Sequence, residues 1–446
     1  MTHAPVRARA LAVLLLLVAG AATAQTAGQP IPEQPPVVLP PVEEPEAPLA
    51  PPGEPFGQLG DPAVDARPGP PGTLSPGASA ALLTMLPGRE IYSLFGHSAL
   101  RLTDPATGLD RTYNYGTFDF QQPLFVPNFV LGKLDYILDT APYPDEVARY
   151  EWLGRPIIEQ PLALDAATVQ ALYRRLEVNA LPENRAYRYR FFYDNCSTRL
   201  LDVLDGALAD AGHARVQLQD EHATDSFRDL LRPYIAGNPA LWAGMSTILG
   251  TPGDAVATTR QRTFLPLELA HVFDGAMVEN RPLVLRRDTV FQVAGAGMPA
   301  PAFPWPAALL WGLFSLGAVA TLATWKRTPG KLARALDTLL LAGVGLLGVL
   351  VGFLWFATEH EVMGPNAHLV WAWPTHLVAA VVVARGRIGR KWRRYFAVAA
   401  VVSGLAALLW LGVPQGMPAA LLPIPLLVAL RCAARARTAR PAVAAD

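Results

Sequence analysis

The chain has 446 residues, 51% of them hydrophobic, and its 37 Lys and Arg balance its 37 Asp and Glu to a formal charge of zero. That length and hydrophobicity call for a soluble domain plus a membrane part. No stretch outside the segments that flank the apolar blocks concentrates Lys or Arg, which argues against a nucleic-acid-binding surface.

Residues 1–24 carry Arg7 and Arg9, an apolar run over 11–18 and then Ala22-Thr23-Ala24, the pattern of a signal peptide cleaved before Gln25. No cysteine follows that run, so the chain is not itself a lipoprotein precursor. Residues 25–74 are proline-rich, with Pro35-Pro36, Pro40-Pro41, Pro51-Pro52 and Pro70-Pro71. Such a segment builds no core and reads as a disordered linker, extended and semi-rigid at best.

Residues 75–302 form the expected exported domain, of α+β class. Segments 80–86, 92–102 and 111–118 are rich in aliphatic and aromatic residues between Gly and Pro signals and predict strands. Val169, Leu172, Tyr173 and Leu176 repeat at helical spacing over 165–178, with Asp165 as the N-cap. Alternation along the second strand puts Phe95, His97 and Ala99 on one face, and Gly96 lets another backbone come close. The third strand offers Asn114, with Asp119 in reserve, to orient an imidazole at His97.

A second helix follows Asn195, with Leu200, Leu201, Leu204 and Leu208 on its apolar face. Asn195 is its cap, so Cys196 falls in the first turn, where amide hydrogens and the helix dipole favour a thiolate and its low pKa. Cys196 is the only thiol of the exported part, since Cys432 lies at the far end of the last apolar segment. With no disulfide partner in an oxidising compartment, Cys196 is either sealed in a core or chemically active. Cys196 as nucleophile and His97 as general base and acid is the expected pair, with Asn114 third. Asp202, one turn beyond Arg199, is expected to pair with it.

Five apolar blocks follow, at 305–325, 338–357, 369–384, 395–412 and 417–430, within a bundle spanning 303–431. Trp305, Trp325, Trp355 and Trp410 fall near block ends, as interfacial aromatics do. Lys326, Arg327, Lys331 and Arg334 follow the first block, six basic residues lie between 385 and 394, and Arg431, Arg435, Arg437 and Arg440 follow the fifth. These stretches face the cytoplasm, as does the tail over 432–446, while 358–368 and 413–418 lack Lys and Arg and face outward with the exported domain. Glu359, His360, Glu361, Asn366, His368 and His376 gather on the outward side at no zinc-site spacing. No metal or cofactor is expected, and Asn195, His360 and Asn366 are the expected substrate contacts.

The strings Phe95-Gly96-His97-Ser98, Tyr113-Asn114-Tyr115-Gly116-Thr117-Phe118, Asp194-Asn195-Cys196-Ser197-Thr198-Arg199 and Thr358-Glu359-His360-Glu361-Val362, in this order, resemble the Lnb N-terminal periplasmic domain family. The resemblance implies a bacterial inner-membrane protein whose papain-like, circularly permuted, NlpC/P60-like domain uses a Cys and a His, here Cys196 and His97. It further implies a lipoprotein N-acyltransferase that carries a fatty acyl group on the cysteine. The partners would be a phospholipid acyl donor and a lipoprotein acceptor with an N-terminal cysteine amine. The same pair in a periplasmic hydrolase of peptidoglycan amide bonds, or a non-enzymatic membrane scaffold with an inert Cys196, are the competing expectations.

Overall fold

The computed structural model describes residues 72–118, 124–219, 224–386 and 388–437. The signal peptide, nearly all of the linker, the reserve residue Asp119 and the end of the tail lie outside them.

Nine strands occur among the described residues: β1 (Ser79–Met85), β2 (His97–Asp104), β3 (Leu109–Thr117), β4 (Asp135–Pro142), β5 (Ile157–Pro161), β6 (Ala186–Arg188), β7 (Met277–Val278), β8 (Arg281–Pro282) and β9 (Asp288–Thr289). Seven of them make one antiparallel sheet in the order β6-β4-β3-β2-β1-β5-β9, and β7 and β8 pair separately. The helices of this part are α1 (Phe125–Leu131), α2 (Tyr143–Trp152), α3 (Ala166–Ala180), α4 (Cys196–Asp210), α5 (Phe227–Leu231), α6 (Pro239–Ile248), α7 (Thr259–Arg262) and α8 (Pro266–Asp274).

Period-two alternation divides the sheet between two cores. Leu82, Leu100, Leu102, Tyr113 and Tyr115 pack with Leu172 and Leu176 of α3 and Leu200, Leu204 and Leu208 of α4. Leu83, Met85 and Ala99 pack on the other side with Tyr150 of α2 and with Ile157. Asp165 caps α3 by accepting from the Thr168 N–H at 2.8 Å, and Asn195 caps α4 in a capping box with Thr198.

The second strand starts later than its residues suggest. Residues Ile91–Ser93 form a turn of 3-10 helix, and Gly96 takes φ +85°, a left-handed conformation that favours glycine. A Cβ there would meet the Met85 carbonyl oxygen at 2.7 Å, so Gly96 is where β1 comes close. Phe95 therefore leaves the sheet and packs against Phe191 and Tyr234.

The C-terminal region is helical: α9 (Trp305–Ala323), α10 (Lys331–Ala357), α11 (His376–Ala384), α12 (Arg390–Leu408) and α13 (Pro423–Arg437). Among the described residues, three stretches are long and apolar enough to cross a membrane, Trp305–Ala323, Lys331–Ala357 and Ala419–Arg437. The other two helices differ from these because α11 has only nine residues and α12 opens with Arg390, Lys391, Arg393 and Arg394. Asp337 joins Arg431 and Arg435 in a buried ion cluster that ties α10 to α13.

The two loops without Lys or Arg both dock on the α/β part. Gly250 N–H donates to Val362 O at 2.7 Å, and Thr251 N–H to Pro365 O at 2.7 Å. Gln415 binds Leu249 O through Nε2 and accepts from Ala367 N–H, while Gly416 N–H donates to Asp254. Buried Arg228 braces this junction, bonding Asp254, Ser246 O and Leu249 O.

Candidate functional site

β2 begins and β3 ends at the same end of the sheet, and α4 starts beside them. A cavity of about 590 Å³ opens there, the size of a small-molecule site. His97 and Cys196 both line it. Phe95, Phe118, Phe129, Leu134 and Leu231 supply apolar wall, and Glu359 to Met363, just beyond α10, close one side.

Cys196 is buried at the first turn of α4. The backbone amides of Ser98 and Ser197 and the Ser197 hydroxyl surround its sulfur, with the hydroxyl at 3.8 Å. The Ser98 and Ser197 hydroxyls bond each other at 3.0 Å and fix the helix start to β2. Gly116 lies against the cysteine: it sits at an irregularity in the β3–β4 register with φ +91°, and a Cβ added there would stand 3.2 Å from Cys196 Cβ.

His97 is buried, and its Nε2–H donates to Asn114 Oδ1 at 3.1 Å. A carbonyl oxygen only accepts, so this bond puts the ring hydrogen on Nε2 and leaves Nδ1 as the acceptor. Asn114 is held in turn, its amide NH₂ facing Glu146 Oε2 at 3.5 Å and Thr112 Oγ1 at 3.4 Å. Glu146 is buried and pairs with Arg149 at 2.8 Å. Sequence reasoning missed Glu146 because it lies on α2, 32 residues from Asn114, with no motif around it. It missed Arg155 too, which lines the cavity, donates from Nε to Leu86 O and leaves Nη2 buried with no hydrogen-bond partner among the described residues.

Burial controls both titratable groups. It pushes the His97 imidazole down to about 3, with the Asn114 bond opposing and Arg155 and Arg149 adding to the depression. It pushes the Cys196 thiol up, against the amides of Ser98 and Ser197. The expected low thiol pKa is thus overturned at rest: desolvation outweighs the helix terminus, and the site holds a neutral thiol and a neutral imidazole.

Of the other expected residues, some line the cavity and some do not. His360 lines the cavity and its Nε2–H donates to Val130 O at 3.1 Å. Asn195 has its side chain committed, accepting from Ser197 and Thr198 N–H and donating to Phe191 O and Phe264 O at 2.7 Å each. Asn366 is likewise spent on Thr247 O, His368 N–H and Gln415, and neither asparagine lines the cavity. Glu359 pairs with Lys133 and Arg188, Glu361 with Arg190, while His368 and His376 are buried away from the cavity. Arg199 pairs with Asp194 across the helix cap, and Asp202 pairs with Arg260, which corrects the expected Arg199–Asp202 pair. The fork geometry of the guanidinium finds both Asp194 oxygens, at 2.6 and 2.9 Å, and lies over the Tyr187 ring.

The family described as the Lnb N-terminal periplasmic domain matches residues 74–233, and the Lnb transmembrane domain matches residues 300–440. No curated protein and no solved structure matches the chain. The two matched segments take in six of the sheet's seven strands, Cys196 and His97, and the whole helical region, so the chain belongs to the Lnb family, a periplasmic domain followed by a transmembrane domain.

Proposed function

We propose that the protein is an inner-membrane acyltransferase that carries a fatty acyl group on Cys196 and passes it to the N-terminal amine of lipoproteins. The observation that carries this reading is the cavity: a cysteine and a histidine open into one apolar space, roofed by the loop that leaves α10. An apolar pocket beside a membrane suits a hydrocarbon chain far better than a glycan strand.

In the first step His97 Nδ1 takes the Cys196 proton as the sulfur attacks the ester carbonyl of a phospholipid. The ester C–O bond breaks, the alcohol leaves with the proton from His97, and a thioester remains. In the second step the acceptor amine attacks the thioester, His97 takes a proton from the amine and returns it to the departing sulfur, and an amide forms. Asn114 keeps the imidazole in the tautomer this requires. His97 precedes Cys196 in the chain while the cysteine helix packs on the histidine strand, which supports a circularly permuted papain-like, NlpC/P60-like domain over 75–302.

Five crossings suit the bundle over 303–431. The loops at 358–368 and 413–418 both touch the α/β part, so the chain between them leaves that side through α11, packed against α10, and returns through α12, packed against α13. An odd number of crossings then carries the basic C-terminal segment to the cytoplasm.

Intact mass of the full chain purified from membranes, before and after neutral hydroxylamine, tests the reading. A fatty-acyl increment that hydroxylamine removes and Cys196→Ala lacks is expected. Acyl transfer by Cys196→Ala, or release of muropeptides from purified cell wall by the native protein, would overturn it.

A further inference from the structure

Helix α1 reads Phe-Val-Pro-Asn-Phe-Val-Leu, carries no charge and buries none of its residues. Leu124 just before it is 70% exposed, Val126 66% and Phe129 54%. A surface of this kind marks a site of contact with a partner or a membrane. Its position decides between them. Glu359 N–H donates to Leu131 O at 2.9 Å, and His360 holds Val130 O, so α1 is fastened two residues beyond the end of α10, where that membrane helix emerges. Lys133 and Arg188 grip Glu359 at the same level, the polar rim expected at an interface.

The helix also borders the cavity. Phe125 and Phe129 line it, as do Ile91, 75% exposed, and Tyr92 from the turn ahead of β2. Apolar side chains therefore run from the exterior into the space that holds Cys196.

We propose that Leu124 and α1 dip into the outward-facing leaflet and, with Ile91 and Tyr92, form a lateral portal through which a lipid hydrocarbon chain passes from the bilayer into the cavity. What the cavity does with that chain rests on the acyltransferase reading; the insertion of α1 does not.

The test uses the full chain in vesicles of phosphatidylethanolamine and phosphatidylglycerol. Val126→Cys and, as control, Val178→Cys on the exposed side of α3 are each labelled with an environment-sensitive fluorophore in a Cys196→Ala, Cys432→Ala background. The label at 126 should emit at shorter wavelength and be quenched several-fold more by spin-labelled lipid than the label at 178. A label at 126 that emits as in water and escapes quenching overturns the portal. With Cys196 intact, Val126→Asp should slow acylation of Cys196 from vesicle lipid at least tenfold and leave its reaction with a water-soluble short-chain thioester unchanged. Equal loss with both donors overturns the portal, whereas quenching at 126 without acylation from any donor would overturn the acyltransferase and leave the leaflet contact standing.

Discussion

Asn114 and His97 share a 3.1 Å hydrogen bond in which the amide oxygen receives the imidazole Nε2 hydrogen, and Glu146 behind it fixes which end of the amide faces the ring. The pair is buried, so the bond is shielded from competing water. Replacing the amide by a carboxylate, Asn114→Asp, places a negative charge against the ring. The His97 titration should move upward from about 3, read by nitrogen NMR of labelled histidine with His97→Gln to assign the signal. Asn114→Ala should remove part of the roughly 10²–10⁴-fold that general acid–base catalysis contributes.

The depressed His97 pKa also makes stability depend on pH. Folded His97 titrates near 3 and an unfolded histidine near 6.5, so between those values the unfolded chain binds the extra proton. The contribution is full above pH 6.5 and is lost as pH falls toward 3, with a limiting slope of about 1.4 kcal/mol per pH unit. Thermal unfolding in detergent from pH 4 to 7 should show a shallower acid loss for His97→Gln than for the native chain. Cys196 acts at the other end: burial raises its pKa, so alkylation should stay slow at neutral pH and speed up as pH rises.

Gly116 is the backbone floor beneath Cys196. Gly116→Ala must place a methyl 3.2 Å from Cys196 Cβ in a left-handed conformation. The backbone alone costs about 1–2 kcal/mol, and the crowding displaces the thiol, so both the unfolding temperature and thioester formation should fall. Gly108→Ala is the control, since it shares a positive φ of +74° but has nothing within 4 Å; it should lose stability and keep the chemistry.

Gln415 links two outward loops to Leu249 through three hydrogen bonds. Gln415→Ala leaves the Ala367 N–H and the Leu249 carbonyl without this partner, at about 1–3 kcal/mol. Hydrogen exchange should rise at residues 360–368 and 247–251 while the central strands remain protected.

Local signals carried much of this architecture into the sequence. Asp165 and Asn195 cap the helices their side chains suit, and aliphatic and aromatic runs between Gly and Pro signals located β1 and β3 within a residue or two. The start of β2 escaped because Gly96 turns the chain out of the pleat, a choice made by Met85 from another strand. Cys196, His97 and Asn114 were legible from residue type and neighbours. What stood behind them was not, since Glu146 and Arg155 reach the site only through the sheet and α2. Asn195 and Asn366 illustrate the converse: polar residues in suggestive places whose hydrogen-bonding capacity is spent within the fold.

Residues 359–363, one wall of the chamber, belong to the transmembrane part of the chain, so a fragment ending before Trp305 would keep the thiol and the imidazole but lose that wall. A thioester formed there would meet water before it met an amine. On the acyltransferase reading proposed above, residence in the membrane would act as a licence for the chemistry, withholding a hydrolysis-prone acyl carrier until the chain has reached the lipid that supplies it.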